Sequence, residues 1–561
     1  MAEERETPVA DDSRRALLMG LMGLVLIYLY HAYSYLFLND DAFISFRYAL
    51  NWAESGEPVY NLGERVEGYT NFLWVALLAL IGWLGGEIPS WGLWLGLPLG
   101  ALSLALGARL SWLLGGGSAR PTRAGLAALF SVGLLALSPS FACWSSGGLE
   151  VQLFTALSLA SLLVTSRALE REDPTRAALG GALGALTCMS RPEGLLLMGL
   201  IGLVSLLSCL RSGRLARRAE LSWLVALLCL YLPYWLWRCS FYGYPLPNTY
   251  YVKEGAQSLW APGARYLLSW LSAHPWLALG LAPLSLSLKS SLRASQRASQ
   301  RGSQLAPEPH AAPQNLPLLA GLWALCLCLH VAHVGGDFMA NHRFLTPITP
   351  LCAALISPQL AAALLWLRER WLSPRLCLGL CLTLFAALSL SARLRYQETM
   401  RGGSAGGVDS IGWLKTFVSQ CEQLGRWIDQ NSPAEARIAT TAAGAIAYYA
   451  RRPTLDLLGL NDEWIAHQVP ARGSRPGHTK SAPLSYVLSQ DIDLLIYHPV
   501  MAASPPRPHP SYRRALEPRG YRWRVFQPPK LAPPYWGLWV KEGLSLPQRV
   551  APLSPSKRAT P

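Results

Sequence analysis

The chain has 561 residues, 51% hydrophobic and 15% charged, with a mean hydropathy of +0.23. That balance excludes an ordinary soluble globular protein and points to a bilayer. The net charge of +15 sits in short loops between apolar runs and carries no interleaved aromatic platform, so nucleic-acid binding is excluded.

In chain order, residues 1–15 mix acids and bases, and no small-residue cleavage site follows the first apolar run. The first helix is therefore expected to stay, with 1–15 cytoplasmic. Apolar runs near the ~20 residues a spanning helix needs recur at 16–38, 70–86, 91–114, 124–138, 149–166, 177–190, 194–210, 222–238, 266–288, 316–334, 344–367 and 376–392. Six basic clusters (Arg14/Arg15, Arg120/Arg123, Arg167/Arg171/Arg176, Arg211 to Arg218, Lys289 to Arg301, Arg368 to Arg375) belong in the cytoplasm by the positive-inside rule. Twelve full crossings would return the tail to the cytoplasm, whereas the basic clusters put it outside. One candidate between Tyr69 and Ser138 is therefore half-membrane or re-entrant, and 11 or 13 crossings are expected. Cys326, Cys328, His330 and His333 have a metal-like spacing, yet on a helix Cys326 and Cys328 point about 200° apart, which favours packing.

The loops on the other side (39–69, 139–150, 190–194, 239–265, 335–343) carry acids, aromatics and isolated cations. The segment from Lys289 to Asn315 reads as a disordered inside linker. From Arg393 the hydropathy falls and a soluble α/β unit over 393–561 is expected: a helix over 411–430, strands at 436–440, 454–458 and 493–497, a short helix at 461–467, a small parallel sheet, and a proline-rich end in which 535–540 adds a strand.

Asp40 and Asp41 follow the first membrane helix. Capping a helix over 42–54 needs one acid; two adjacent carboxylates repel, and a cation or metal beside them relieves that repulsion. Phe43, Phe46 and Leu50 share one helical face, which predicts an amphipathic helix lying along the interface. Glu67, Tyr69 and Asn71 stand where the loop re-enters the bilayer. Arg191 and Glu193 lie between two apolar runs with almost no loop, so they are expected to face a cavity or a partner. Tyr242 to Lys253 supplies Asn248, Tyr250 and Lys253. The loop 335–343 supplies Asp337, His342 and Arg343. Carboxylates, cations and aromatics at one membrane face suit a lipid phosphate and a sugar: cations stabilise a departing phosphate and a carboxylate takes the acceptor proton. No P-loop, Gly-x-Ser-x-Gly or His-Glu-x-x-His motif is present.

Asp40-Asp-Ala-Phe-Ile-Ser-Phe-Arg-Tyr with Asn61-Leu-Gly-Glu-Arg-Val-Glu-Gly-Tyr-Thr-Asn-Phe-Leu-Trp74 resembles the first external loop of the terminal β-(1→2)-arabinofuranosyltransferases of mycobacteria and their wider bacterial relatives. Gly148-Leu-Glu150, Arg191-Pro-Glu-Gly194, Tyr242 to Tyr250, Gly335-Gly-Asp337 with Arg343-Phe-Leu, Gly459-Leu-Asn-Asp462 and Gly477-His-Thr-Lys480 are similar to the same pattern. The resemblance implies a multi-pass helical protein of the GT-C membrane fold with an extracytoplasmic C-terminal α/β domain, located in the cell inner membrane. It also implies a polyprenyl-phosphate sugar donor, a cell-envelope glycan acceptor and catalysis around Asp40 and Asp41. On this basis Asp40 is expected to meet the reacting sugar or acceptor hydroxyl, and Asp41 to hold a divalent cation, magnesium or manganese, or a supporting contact. Arg191, Lys253 and Arg343 are expected on the donor phosphate. Glu67, Tyr69, Asn71, Glu150, Glu193, Asn248, Tyr250, Asp337, His342, Asp462, His478 and Lys480 are expected on sugar or acceptor. A mannosyl- or aminoarabinosyl-type transferase of the same fold and a non-enzymatic membrane assembly or transport protein are the competing readings.

Overall fold

A computed structural model describes residues 8–211, 216–253, 259–277, 313–405, 407–473 and 478–546. The expected inside linker falls almost wholly outside the described residues, as does Gly477. Among the described residues eight helices are long and apolar enough to cross a membrane: Arg14–Tyr35, Ile88–Leu114, Val151–Glu170, Gly194–Arg211, Arg218–Tyr242, Leu316–Val334, Arg343–Arg370 and Pro374–Arg401. The chain is a multi-pass membrane protein. Helix Phe72–Trp83 has only 12 residues, or ~18 Å of rise, against a hydrocarbon core of ~30 Å. It occupies the stretch in which the loop charges require a partial crossing.

Basic residues and the polar loops mark opposite ends of these helices. Val151–Glu170 begins beside Glu150 and ends with Arg167 in its last turn. Gly194–Arg211 follows Glu193 and ends on Arg211. Arg343 opens a helical run that closes with Arg368 and Arg370. One end of the bundle therefore gathers the polar chemistry, and the other gathers the basic clusters.

The last membrane helix, Pro374–Arg401, passes the expected boundary at 393, and the tail starts after it. The tail is a five-stranded sheet in the order Thr454–Asp456, Ile438–Thr440, Leu494–Ala502, Tyr535–Lys541, Tyr521–Phe526. The first three strands are parallel, but Tyr535–Lys541 runs antiparallel to both its neighbours, Leu494–Ala502 and Tyr521–Phe526, which corrects the parallel expectation. Strand Tyr521–Phe526 escaped notice because three of its six residues are Arg or Trp and its buried positions (Tyr521, Val525, Phe526) do not alternate. Helix Ile411–Asn431 packs its Leu414, Val418, Cys421 and Leu424 face inward.

The first-loop helix Asp40–Ser55 is sandwiched rather than interfacial. Phe43 and Phe46 are buried, with the Phe43 ring 5.5 Å from both Tyr448 and Tyr449 of the tail. The tail covers the apolar face that a bilayer surface was expected to take, because that face meets the apolar turn Ala445–Ala450. Buried polar contacts fix the same junction. Arg47 donates to the carbonyls of Tyr60 (2.6 Å), Arg452 (2.8 Å) and Ala447, and Tyr60 donates to the Ala443 carbonyl (2.6 Å). Asn61 donates to the Thr454 carbonyl and accepts from its amide.

Candidate active site

Asn39 alone caps the first-loop helix, its side chain accepting from the Ala42 amide at 3.1 Å while its amide donates to the Gly147 carbonyl at 2.6 Å. Both aspartates are thus released from capping, and they diverge. Asp40 turns to the tail, where its two oxygens accept from the amides of Gly444 (3.1 Å) and Ala445 (2.8 Å). Burial, with Asp41 and Asp456 adding repulsion, pushes the Asp40 carboxyl up to about 6 against those two amides. Asp41 keeps 40% of its side chain exposed and faces Arg343, Nη1 to Oδ2 3.6 Å. The two carboxylates thus differ in setting: Asp40 is held by the backbone of the tail, and Asp41 is the open one.

Arg343 is pinned from behind by Asp337, whose oxygens lie 2.8 Å from Nε and 3.2 Å from Nη2. Arg191 pairs with Glu193 at 2.8 Å and Glu150 at 3.6 Å. The two guanidiniums flank the ring of Phe344, 4.9 and 5.4 Å from its centroid, which fixes their spacing. Asn71 donates to Glu150 (2.8 Å) and to Ser45 (3.1 Å), tying Glu150 to the first-loop helix. His330, set aside above as helix packing, lies 3.8 Å from Glu193. Burial raises the Glu193 pKa, but Arg191 and His330 outweigh it and hold the carboxyl at about 2.

Lys253 completes the group. It ends the short helix Asn248–Lys253; the residue keeps an exposed surface, but its ammonium is desolvated among the charges of Arg343, Glu193, Asp41 and Arg191. Burial, then Arg343, lowers the ammonium pKa, while Glu193 and Asp41 oppose. Three cations and four carboxylates thus meet at one end of the bundle. Glu150, Glu193 and Asp337 are at most 14% exposed, whereas Asp41 stays open.

The other expected residues lie outside this charged group. Glu67 is buried against Arg238 at 2.7 Å, since a carboxylate there without a partner would cost several kcal/mol. Tyr69 bonds to Tyr242 at 2.9 Å. Asn248 donates to the carbonyls of Gly459, Leu460 and Asp462. Asp462 caps Glu463–Gln468 and accepts from Tyr486. His342 meets Ser269 at 3.1 Å, and burial pushes its pKa down to about 3. Lys480 donates to the Ala466 carbonyl at 2.6 Å, and His478 packs edge-on to Phe338 at 5.0 Å. Tyr250 stays exposed. Arg47 and Phe344 were missed as individual positions, although both lie inside motifs that carry the resemblance. Among the described residues no three His, Cys, Asp or Glu side chains cluster as a metal site.

This helical bundle with a polar site under a C-terminal α/β domain is the GT-C membrane fold. The crystal structure of ArnT from Cupriavidus metallidurans bound to undecaprenyl phosphate superposes with a TM-score of 0.55 at 12% identity, covering 95% of this chain and 99% of that one. The apo state of the same protein gives 0.52 at 12% identity, covering 94% and 98%. In sequence, the chain is similar to the terminal β-(1→2)-arabinofuranosyltransferase of Mycobacterium tuberculosis, 27% identical over 61% of this chain and 55% of that protein. The Corynebacterium glutamicum protein of the same name is 28% identical over 55% of this chain and 46% of that protein. The chain thus spans about half the length of the curated relatives it matches. Residues 414–539 match a family model described as a domain of unknown function (DUF8728).

Proposed function

We propose that this protein transfers a sugar, arabinofuranose in the first instance, from a polyprenyl-phosphate donor to a cell-envelope glycan on the outer face of the inner membrane. The observation that carries the reading is the open Asp41 opposite an Arg343 that Asp337 already orients, with Arg191 and Lys253 beside it. The named sequence relatives support the sugar, and the ArnT complex with undecaprenyl phosphate supports the class of donor.

In this reading Arg343, Arg191 and Lys253 hold the donor phosphate and stabilise the charge that grows on it as the glycosidic C–O bond breaks. Asp337, Glu150 and Glu193 hold the guanidiniums in position, so little reorganisation remains at the moment of reaction. Asp41 is the carboxylate that meets the reacting sugar or the acceptor hydroxyl. Asp41 is the residue that would hold a divalent cation, magnesium or manganese, and such an ion would supply further positive charge to the donor phosphate.

The deciding experiment incubates the purified full chain in lipid nanodiscs with polyprenyl-phosphate arabinofuranose, mannose and aminoarabinose, plus a synthetic arabinofuranosyl oligosaccharide. Transfer from the arabinofuranose donor, lost in Asp41→Asn, is expected. Transfer from one of the other donors alone would change the sugar, and no transfer from any of them would sink the enzyme reading.

A further inference from the structure

A second feature lies outside the charged centre. Between the helix Asn248–Lys253 and the tail is a cleft of about 370 Å³, lined by Tyr251, His467, Gln468, Ala471 and Lys480 among others. This is within the ~300–1,000 Å³ of ordinary small-molecule sites. Its aromatic lining is Tyr251 and His467, against which Tyr250 and Tyr244 pack. The His467 ring lies 4.3 Å from Tyr251 and 4.7 Å from Tyr244, and Tyr250 stands perpendicular to Tyr251 at 5.6 Å, 49% exposed. The His467 Nε2 is buried and has no hydrogen-bond partner among the described residues, a cost that a bound hydroxyl would remove.

We infer that this cleft binds one neutral sugar residue of the acceptor glycan, with its C–H face on Tyr251 and His467 and a hydroxyl on His467 Nε2. It rests on the transferase reading only in calling that glycan the acceptor. An aromatic wall with polar edges matches a sugar ring, which has an apolar face and hydroxyls at its rim. Among the described residues no carboxylate lines the cleft, which suits a neutral ring.

Position ties the cleft to the reaction. Tyr251 and Lys253 share one six-residue helix, about 3 Å apart along its axis, and side chains two residues apart project to nearly opposite sides. The helix is thus a thin wall with the cleft on one side and the charged centre on the other. It is clamped in place, because Thr479 donates to the Val252 carbonyl at 3.0 Å and Asn248 is held at its other end by the tail carbonyls. A glycan seated in the cleft would reach over that wall to Asp41.

The test measures binding of synthetic arabinofuranosyl, mannosyl and N-acetylglucosaminyl oligosaccharides to the full chain in nanodiscs by saturation-transfer NMR, with no donor present. Saturable binding of at least one is expected. Tyr251→Ala should weaken it about tenfold, equivalent to ~1.4 kcal/mol, while Tyr251→Phe retains it. Ala471→Trp, which fills the cleft from its rim, should abolish it. Donor binding and melting temperature should stay unchanged in Tyr251→Phe and Ala471→Trp. If the wild type binds no oligosaccharide, or Tyr251→Ala and Ala471→Trp bind as the wild type does, the inference is overturned. If oligosaccharides bind with the expected variant pattern but no polyprenyl donor supports transfer, the cleft stands as a glycan site and the transferase reading falls.

Discussion

Two adjacent aspartates separate because each belongs to a different neighbour. Asp40 serves the tail and Asp41 serves the charged centre. Removing the Asp41 charge should reduce turnover by ~10²–10⁴-fold, the range for a catalytic proton-transfer group, with donor binding retained. Asp40→Asn keeps an oxygen for one tail amide and should act mainly on docking of the tail, giving a smaller loss of rate. Steady-state turnover and donor titration on both purified variants distinguish the two roles. The pH dependence has a definite sign. A carboxyl raised to about 6 by burial is protonated more readily folded than unfolded, so the stability it contributes is present at low pH and lost as pH rises through about 6. Asp456, held at about 6 by its own burial, acts in the same direction. Melting temperature should therefore fall from about pH 4 to pH 6, and Asp40→Asn should make that slope shallower. An unchanged slope in the variant would remove Asp40 from the account.

Among elements, the junction between first loop and tail is the most tightly specified. Gly444 is required there because a Cβ would sit 1.9 Å from the Asp40 carbonyl oxygen, a contact with backbone that cannot yield. Gly444→Ala should loosen the tail while leaving the membrane helices intact, detected as faster proteolysis between residues 402 and 411. Arg47 spans the same junction, and Arg47→Met removes its bonds to the carbonyls of Tyr60, Ala447 and Arg452; each carbonyl keeps a second donor, from Asn51, the Arg451 amide and Thr454, so the cost is that of the lost charge-assisted bonds, about 1.5–3 kcal/mol each. On the other side of the site, Arg191→Gln, Lys253→Met and Arg343→Gln should each weaken binding of the polyprenyl-phosphate donor more than binding of the oligosaccharide. Equal donor affinity in all three would refute the phosphate assignment. Arg343→Gln should show the largest effect, since it also leaves Asp337 buried without its cation.

For the whole molecule, the polar ends of the helices and the tail share one side of the bundle, and the basic ends share the other. A cysteine placed at Gln468 should accordingly be labelled from outside intact cells by an impermeant maleimide, and one at Glu172 only after permeabilisation. The reverse pattern would invert the orientation and with it the proposed access of a glycan.

The membrane class, most helix positions and the end of the bundle that gathers the polar loops were legible from the sequence, since apolar run length and loop charge are local properties that a bilayer reads directly; the expected span 266–288 is the exception, its described part ending a helix at Ala273 and passing through a 3-10 turn. Motif residues such as Asp41, Arg191, Asp337 and Arg343 were legible as candidates for the same reason: a charge at a membrane boundary is costly unless it has a partner. Their division of labour was not. Whether a carboxylate stays open, as Asp41 does opposite Arg343, or is one half of a buried pair, as Glu67 is with Arg238, is set by partners far along the chain, some 170 residues away for Glu67. Likewise the face of Phe43 and Phe46 is apolar whether lipid or protein covers it, and only the packing of the tail decided which. The His467–Tyr251 wall joins segments more than 200 residues apart, so no spacing within either could have announced it.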